Sequence, residues 1–315
     1  MKVKKKYLYA GIALVLLAVI GLAYFKYSPT SKKPTASSIK NEDMQWMVDK
    51  SGYLYYPLKR EQIKFHREEL NGTGNLSVSR MIYPSKNGNI FGLLVLPKNI
   101  THEIPGVVLL PGAGVSKESE LPLAEKIAQL GIAVLTIDQR GIGETDGKVP
   151  SLDEDYSSFL ASREPNQHLM VYDALRGFDL LYSAPFVDPN HIIIAGESLG
   201  GRIAIIAAAI DRNIKGVLAI SPASLRGISY KGDLNKDAFL KSIDSDHYIG
   251  LITPRKIVII HNINDMVIPI NWAVNSYSLA QQPKRFIYVN DTTCNHGYCD
   301  SMYNGLIDGL QFVMS

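Results

Sequence analysis

Cysteine is nearly missing from this chain of 315 residues: it has only Cys294 and Cys299. That excludes a small disulfide-knotted scaffold and a cysteine-rich metal centre. Acidic residues are missing altogether from residues 1–40, which carry eight lysines. With those eight set aside, the remaining 25 Lys and Arg face all 30 Asp and Glu. The body is therefore mildly acidic, although the whole chain has a formal charge of +3. A body of that sign offers no basic field, and no nucleic-acid partner is expected. No repeat recurs at a fixed period, so a solenoid or propeller is excluded. What remains is an ordinary globular composition, 46% hydrophobic, sufficient for a sizeable core.

One long apolar run is present. Residues 7–25 carry no charge. At about 1.5 Å per residue they nearly span a hydrocarbon core of ~30 Å. Lys2, Lys4, Lys5 and Lys6 precede the run, which favours a cytoplasmic N-terminus. The run is expected to enter the lipid bilayer as a transmembrane anchor. A signal peptide cleaved after Ala23 and a buried helix are the alternatives. No cysteine follows the run, so lipid attachment there is excluded. Anchor and signal peptide both put the body outside the cytoplasm. Residues 28–40, rich in Ser, Thr, Pro and Lys, read as a flexible linker. The folded body is expected over residues 41–315.

Within the body, residues 62–70 and 76–83 flank the turn-rich NGTGN at 71–75, a hairpin pattern. A third strand is expected at 90–96. The pattern then changes to short, wholly apolar runs at 106–110, 133–137, 192–195, 217–220, 257–260 and 286–289. Helix-like runs near 121–130, 168–182, 199–208, 272–279 and 305–314 separate or follow them. Apolar strands alternating with helices imply an α/β fold, a mostly parallel sheet covered on both faces. Ligands in such sheets bind beyond the carboxyl ends of the strands.

The chemistry-bearing residues follow apolar runs. Gly196-Glu197-Ser198-Leu199-Gly200-Gly201 joins a strand run to a helix run. This G-x-S-x-G turn strains the serine and exposes its hydroxyl as a nucleophile; Gly196 and Gly200 relieve crowding. A serine needs a base, and the base an orienting acid, in the order Ser, acid, His. Asp265 lies just past the run 257–260. His296 is the only histidine C-terminal to it. His261 ends a buried strand and is expected to be packed rather than catalytic. Two N–H groups should form an oxyanion hole: that of Leu199, and that of Ala113 in Pro111-Gly112-Ala113-Gly114, with Gly114 as the alternative. This chemistry requires neither metal nor organic cofactor.

Asp138-Gln139-Arg140-Gly141-Ile142-Gly143-Glu144-Thr145-Asp146-Gly147 resembles the D-x-R-G-x-G-x-S-x-G loop of α/β-hydrolases, and residues 261–269 resemble their H-G-x-x-D-x-x-V-P acid loop. With GESLGG and PGAG, the match runs in the correct order from about Ser77 to the C-terminus. It is most similar to esterases and to the catalytic domains of prolyl-oligopeptidase and acylaminoacyl-peptidase relatives. The resemblance implies the α/β-hydrolase fold with a mostly parallel eight-stranded sheet, and hydrolysis through an acyl-enzyme. It departs from the pattern at Pro111, where many members have His, and at Asn262, where Gly is usual. A carboxylic ester is the leading substrate class, ahead of a peptide or acyl-peptide bond and a thioester. A binding protein that kept the fold and lost activity is the alternative of another class.

Residues 222–255, with Tyr230, Phe239, Leu240 and Tyr248, read as a small cap or a plain surface excursion. Cys294 and Cys299 bracket His296. A disulfide is expected if the body faces an oxidising space, with free thiols or a Cys-His-Cys metal site as the other readings. Asn71, Asn75, Asn99 and Asn290 head N-x-S/T triplets, which suit an exported domain.

Overall fold

The computed structural model of the protein describes residues 46–226, 228 and 232–315. The apolar run at 7–25, the linker at 28–40 and Tyr230 lie outside the described residues. Among the described residues, no helix is long and apolar enough to cross a membrane.

Two short strands come first, β1 (Met47–Val48) and β2 (Leu54–Tyr55), paired antiparallel. The main sheet follows: β3 (His66–Leu70), β4 (Leu76–Ser85), β5 (Gly88–Pro97), β6 (Ile104–Leu110), β7 (Ala133–Ile137), β8 (Val187–Glu197), β9 (Gly216–Ile220), β10 (Lys256–Asn262) and β11 (Lys284–Val289). Their order is β11-β10-β9-β8-β6-β7-β5-β4-β3. Strands β6 to β11 pair parallel, and β3, β4 and β5 add an antiparallel meander to β7. The sheet thus has nine strands, not the eight implied by the resemblance. The additional edge strand is β3, whose sequence HREEL is exposed throughout. Its charges blunt an edge that would otherwise template pairing with another chain.

Among the described residues the α-helices are α1 (Lys117–Ala128), α2 (Leu152–Leu160), α3 (Asn166–Tyr182), α4 (Leu199–Ile210), α5 (Leu234–Ser242), α6 (Ser245–Tyr248), α7 (Ile270–Leu279) and α8 (Tyr303–Met314). Five of them match the amphipathic runs in the sequence. The exceptions, α2, α5 and α6, are short and owe their starts to caps. Ser151 and Glu154 form a reciprocal capping box on α2. Asp233 and Asp244 accept from first-turn N–H groups of α5 and α6. The segment at 222–255 is therefore a helical excursion between β9 and β10. Phe239, Leu240 and Ile243 pack there against Leu152, Tyr156 and Phe159 of α2.

Strand alternation divides the core in two. Val108, Leu110, Ile192, Ile194, Ile257 and Ile259 face α3 and α4 on one side. Val107, Leu109, Ile193, Ala195, Val258 and Ile260 face α1 and α8 on the other. Two-sided burial explains why these strands read as continuous apolar runs. The chain leaves β6 towards β7 on one side and returns to β8 on the other, so connections diverge at the carboxyl end of β6. That is the place where such sheets hold ligands.

Candidate active site

Ser198 sits where β8 turns into α4, with φ 50° and ψ −112°. A non-glycine residue is held in such a conformation only when its surroundings over-determine it. Here Ser198 N–H donates to Ile220 O at 2.9 Å, and its own carbonyl accepts from Arg202 N and Ala223 N. The turn is also too tight for side chains nearby. A Cβ on Gly200 would lie 2.0 Å from Leu110 O, and one on Gly196 would lie 2.5 Å from the Gly200 carbonyl carbon. Leu199, Gly200 and Gly201 open α4, so their N–H groups have no carbonyl one turn back.

The loop after β6 lies against this turn. A Cβ built on Gly112 would come within 3.8 Å of Ser198 Cβ. Val115 N–H closes the loop onto Gly112 O at 3.2 Å, leaving Ala113 and Gly114 exposed at its tip. Gln139 Nε2 anchors it by donating to Pro111 O at 2.7 Å. The D-x-R-G-type loop is thus a brace. Asp138, fully buried, accepts from Lys117 N, Lys117 Nζ and Glu144 N at 2.7, 2.8 and 2.9 Å. Arg140 pairs with buried Asp173 at 2.7 Å.

Asp265 and His296 meet. His296 Nδ1 lies 2.8 Å from Asp265 Oδ2 and 3.1 Å from Oδ1. Asp265 Oδ1 also accepts from Val267 N and Ile268 N at 2.9 and 2.8 Å. Burial alone would raise the Asp265 carboxyl, but His296 and these N–H groups outweigh it and hold it below its ordinary value. Among the described residues His296 Nε2 is buried without a hydrogen-bond partner, so Ser198 Oγ is not bonded to it. His261 is fully buried, with Nε2 at 2.9 Å from Ile268 O. Burial lowers its proton affinity, as befits a packed histidine.

Four hydrogen bonds and a disulfide hold the His296 loop. Asn262 Nδ2 donates to Asp291 O and Cys294 O at 2.7 and 2.6 Å, and Asn262 Oδ1 accepts from Asp291 N at 3.0 Å. Met266 N donates to Asn295 O at 2.9 Å. Cys294 and Cys299 form a disulfide with Cα atoms 6.0 Å apart. Gly297, at φ 74°, abuts Glu197; a Cβ there would meet Glu197 Oε2 at 2.8 Å. Among the described residues no cluster of His, Cys, Asp and Glu is arranged to hold a metal ion.

Sequence reasoning named Ser198, Asp265, His296 and the Gly112–Gly114 loop, and the fold brings all of them to the carboxyl ends of β6, β8, β10 and β11. It did not foresee Gln139, the bracket made by Asn262, or the carboxylate pair behind the nucleophile. Burial raises Glu197 despite the Tyr298 N–H and the His296 charge, and burial with the Glu197 charge pushes Glu120 up to about 9. The one signal in the sequence was Asn262 itself, a polar residue where a small one is usual.

Comparison with known proteins agrees with this architecture. Residues 60–225 match the family model of acetyl xylan esterase (AXE1). The uncharacterized protein YfhR of Escherichia coli O157:H7 is 21% identical over 280 residues, covering 82% of this chain and 87% of its own. An acetyl xylan esterase from Paenibacillus sp. R4 superposes with a TM-score of 0.68 at 19% identity, over 81% of this chain and 90% of that one. Est1E from Butyrivibrio proteoclasticus, solved with ferulic acid, superposes with a TM-score of 0.58 at 19% identity, over 74% and 97%. These superpositions carry the fold, and the family match covers more than half of the chain. The chain belongs to the acetyl xylan esterase family and is an esterase of the α/β-hydrolase type.

Proposed function

We propose that the protein hydrolyses carboxylic esters through an acyl-enzyme on Ser198, with His296 as general base and Asp265 as its orienting acid. The observation that carries this reading is His296 itself. Asp265 engages Nδ1, and Nε2 is left buried and unbonded among the described residues. A base needs that free nitrogen, and apo sites often tighten their last hydrogen bond only when substrate binds.

In the proposed sequence Ser198 Oγ attacks the ester carbonyl carbon while His296 Nε2 takes the hydroxyl proton. The negative charge moves to the carbonyl oxygen, which accepts from Leu199 N–H and Ala113 N–H, or Gly114 N–H in place of the latter. The carbonyl re-forms, the alcohol leaves, and His296 returns the proton to its oxygen. Water then attacks the acyl-Ser198 by the same steps in reverse, releasing the carboxylic acid. Asp265 stays ionised throughout and stabilises the imidazolium. An ester is favoured over a peptide bond or a thioester because the family model is that of an esterase and the structural neighbours include acetyl xylan esterases.

The location we propose rests on the sequence alone. Residues 7–25 tether the chain to a membrane with the N-terminus in the cytoplasm and the body outside, unless a signal peptidase removes them. A fluorophosphonate probe tests the chemistry. Stoichiometric labelling at Ser198, lost in Ser198→Ala, is the expected result. Near-wild-type turnover of 4-nitrophenyl acetate by folded Ser198→Ala would remove the nucleophile.

A further inference from the structure

Beside the nucleophile lies a set of buried polar atoms that the hydrolytic steps do not use. Asn166 Nδ2, Arg202 Nε, Ser224 Oγ, Arg226 Nε and Asp246 Oδ1 are all buried with no hydrogen-bond partner among the described residues. They come from α3, α4, the segment leaving β9, and α6, and short contacts tie these elements together. Arg202 N and Ala223 N donate to the same Ser198 carbonyl at 3.1 and 2.9 Å. Arg202 Nη2 donates to Gln167 Oε1 at 2.7 Å. Ser245 Oγ donates to Ala223 O at 3.1 Å, and Arg226 pairs with Asp246 at 2.7 Å.

Arg202 stands apart from the other buried cations. Lys86, Lys117, Arg140 and Arg176 each meet a carboxylate within 2.8 Å. Arg202 is only 8% exposed and forms no ion pair among the described residues. Among the described residues its guanidinium makes one hydrogen bond, to a neutral amide. The acid that acts on it, Asp244, spends Oδ1 on the N–H groups of Leu225 and Asp246. Burial accordingly pulls the Arg202 guanidinium down to about 10, against the Asp244 charge. A buried cation with no carboxylate in hydrogen-bond contact is costly, even with the Asp244 charge near it. The elements tied together here leave a guanidinium N–H, an amide NH₂ and a hydroxyl without acceptors, against one carboxylate oxygen, Asp246 Oδ1, without a donor. The missing group is an anion with several acceptor oxygens, and the site begins one helical turn from Ser198.

We propose that Arg202, with Asn166 and Ser224, forms an anion-recognition site that binds a carboxylate carried by the ester substrate. The proposal rests on the reading of Ser198 as nucleophile and names the substrate class: an ester whose acyl or alcohol part bears a second, ionised carboxyl group.

The test compares 4-nitrophenyl acetate with mono-4-nitrophenyl glutarate, and titrates glutarate into the unmodified protein by calorimetry. The anionic ester should have the higher kcat/KM in the wild type. Arg202→Gln should cut the ratio of anionic to neutral kcat/KM by about 10- to 100-fold, the usual range for losing a hydrogen bond to a charged group. The change should lie mainly in KM, and Arg202→Lys should recover part of it. If neither ester is turned over, the nucleophile assignment fails, but saturable glutarate binding abolished by Arg202→Gln still upholds the site. Wild-type preference for the neutral ester would overturn the proposal even if the variants fail to fold. So would an unchanged ratio in Arg202→Gln, or no saturable glutarate binding, in which case the orphaned groups hold only water.

Discussion

At the scale of single residues, chemistry and electrostatics make separable predictions. Ser198→Ala and His296→Ala should each lower kcat by roughly 10⁴–10⁶, and the double variant should lose little more, because members of a triad act as a unit. Steady-state ester hydrolysis on the three variants checks this, and additive losses would argue for independent roles. Glu120 makes a prediction about stability. Its carboxyl rises from 4.5 to about 9 in the folded chain. The folded protein therefore keeps a proton that the unfolded chain releases above about 4.5, the ordinary carboxyl range. Its stability should fall as pH climbs from there to about 9, and be flat in this term outside that window. The slope is at most about 1.4 kcal/mol per pH unit. Denaturant midpoints at pH 5.5 and 8.5 should show Glu120→Gln gaining on the wild type at the higher pH. An equal offset at both would mean that the buried carboxyl does not titrate with folding.

Elements hold these residues in place, and the loop after β11 is the clearest case. Residues 294–299 close a short ring through their disulfide. Loop-closure entropy for a ring this small contributes only about 2 kcal/mol. A catalytic imidazole displaced by ~1 Å can lose ~10²-fold in rate. Replacing Cys294 and Cys299 together by Ser should therefore depress kcat far more than the melting temperature, measured on the same preparation. Asn262 does comparable work from β10, since its side chain satisfies Asp291 N, Asp291 O and Cys294 O. Asn262→Ala leaves these groups without partners and should cost about 1–3 kcal/mol of stability along with activity. At the other end of the site, Asp138 neutralises buried Lys117 and ties α1 to the loop after β7. Asp138→Ala should destabilise by about 1–3 kcal/mol, because it leaves Lys117 N and Glu144 N without an acceptor, while Glu118 and Glu144 still pair with the Lys117 ammonium. A chemical denaturation curve decides it.

For the whole molecule, the sheet divides labour between its ends. The carboxyl ends of β6, β8, β10 and β11 carry the candidate site, while the charged strand β3 closes the edge farthest from β11. Residues 1–40 bear on where this body works. If residues 7–25 anchor it, the full chain should sediment with membranes and require detergent for release. A reporter fused after Ser315 should then be active only outside the cytoplasm. A chain lacking residues 1–40 should stay in the soluble fraction and keep its kcat. Recovery of a mature chain beginning at Tyr24 would select the cleaved alternative.

Much was legible in the sequence because it is written locally. Buried parallel strands must be apolar on both faces, so each β-run announced itself, and a strained serine turn needs its glycines within a few residues. Ser198, Asp265 and His296 could be named as candidates from order, since each follows an apolar run, and the fold brings Asp265 and His296 into contact. Short α2, α5 and α6 were not legible, because caps and contacts such as Phe239 against Phe159 stabilise them rather than periodicity. Nor was the way the site is held. Asn262 and Asp291 are 29 residues apart, and Gln139 and Pro111 are 28 apart. Such pairs are chosen by the packing of β-strand ends, not by spacing along the chain. The closeness of Glu120 to Glu197 and the lack of a carboxylate in contact with Arg202 arise the same way: burial sets them, and burial is a property of the folded molecule.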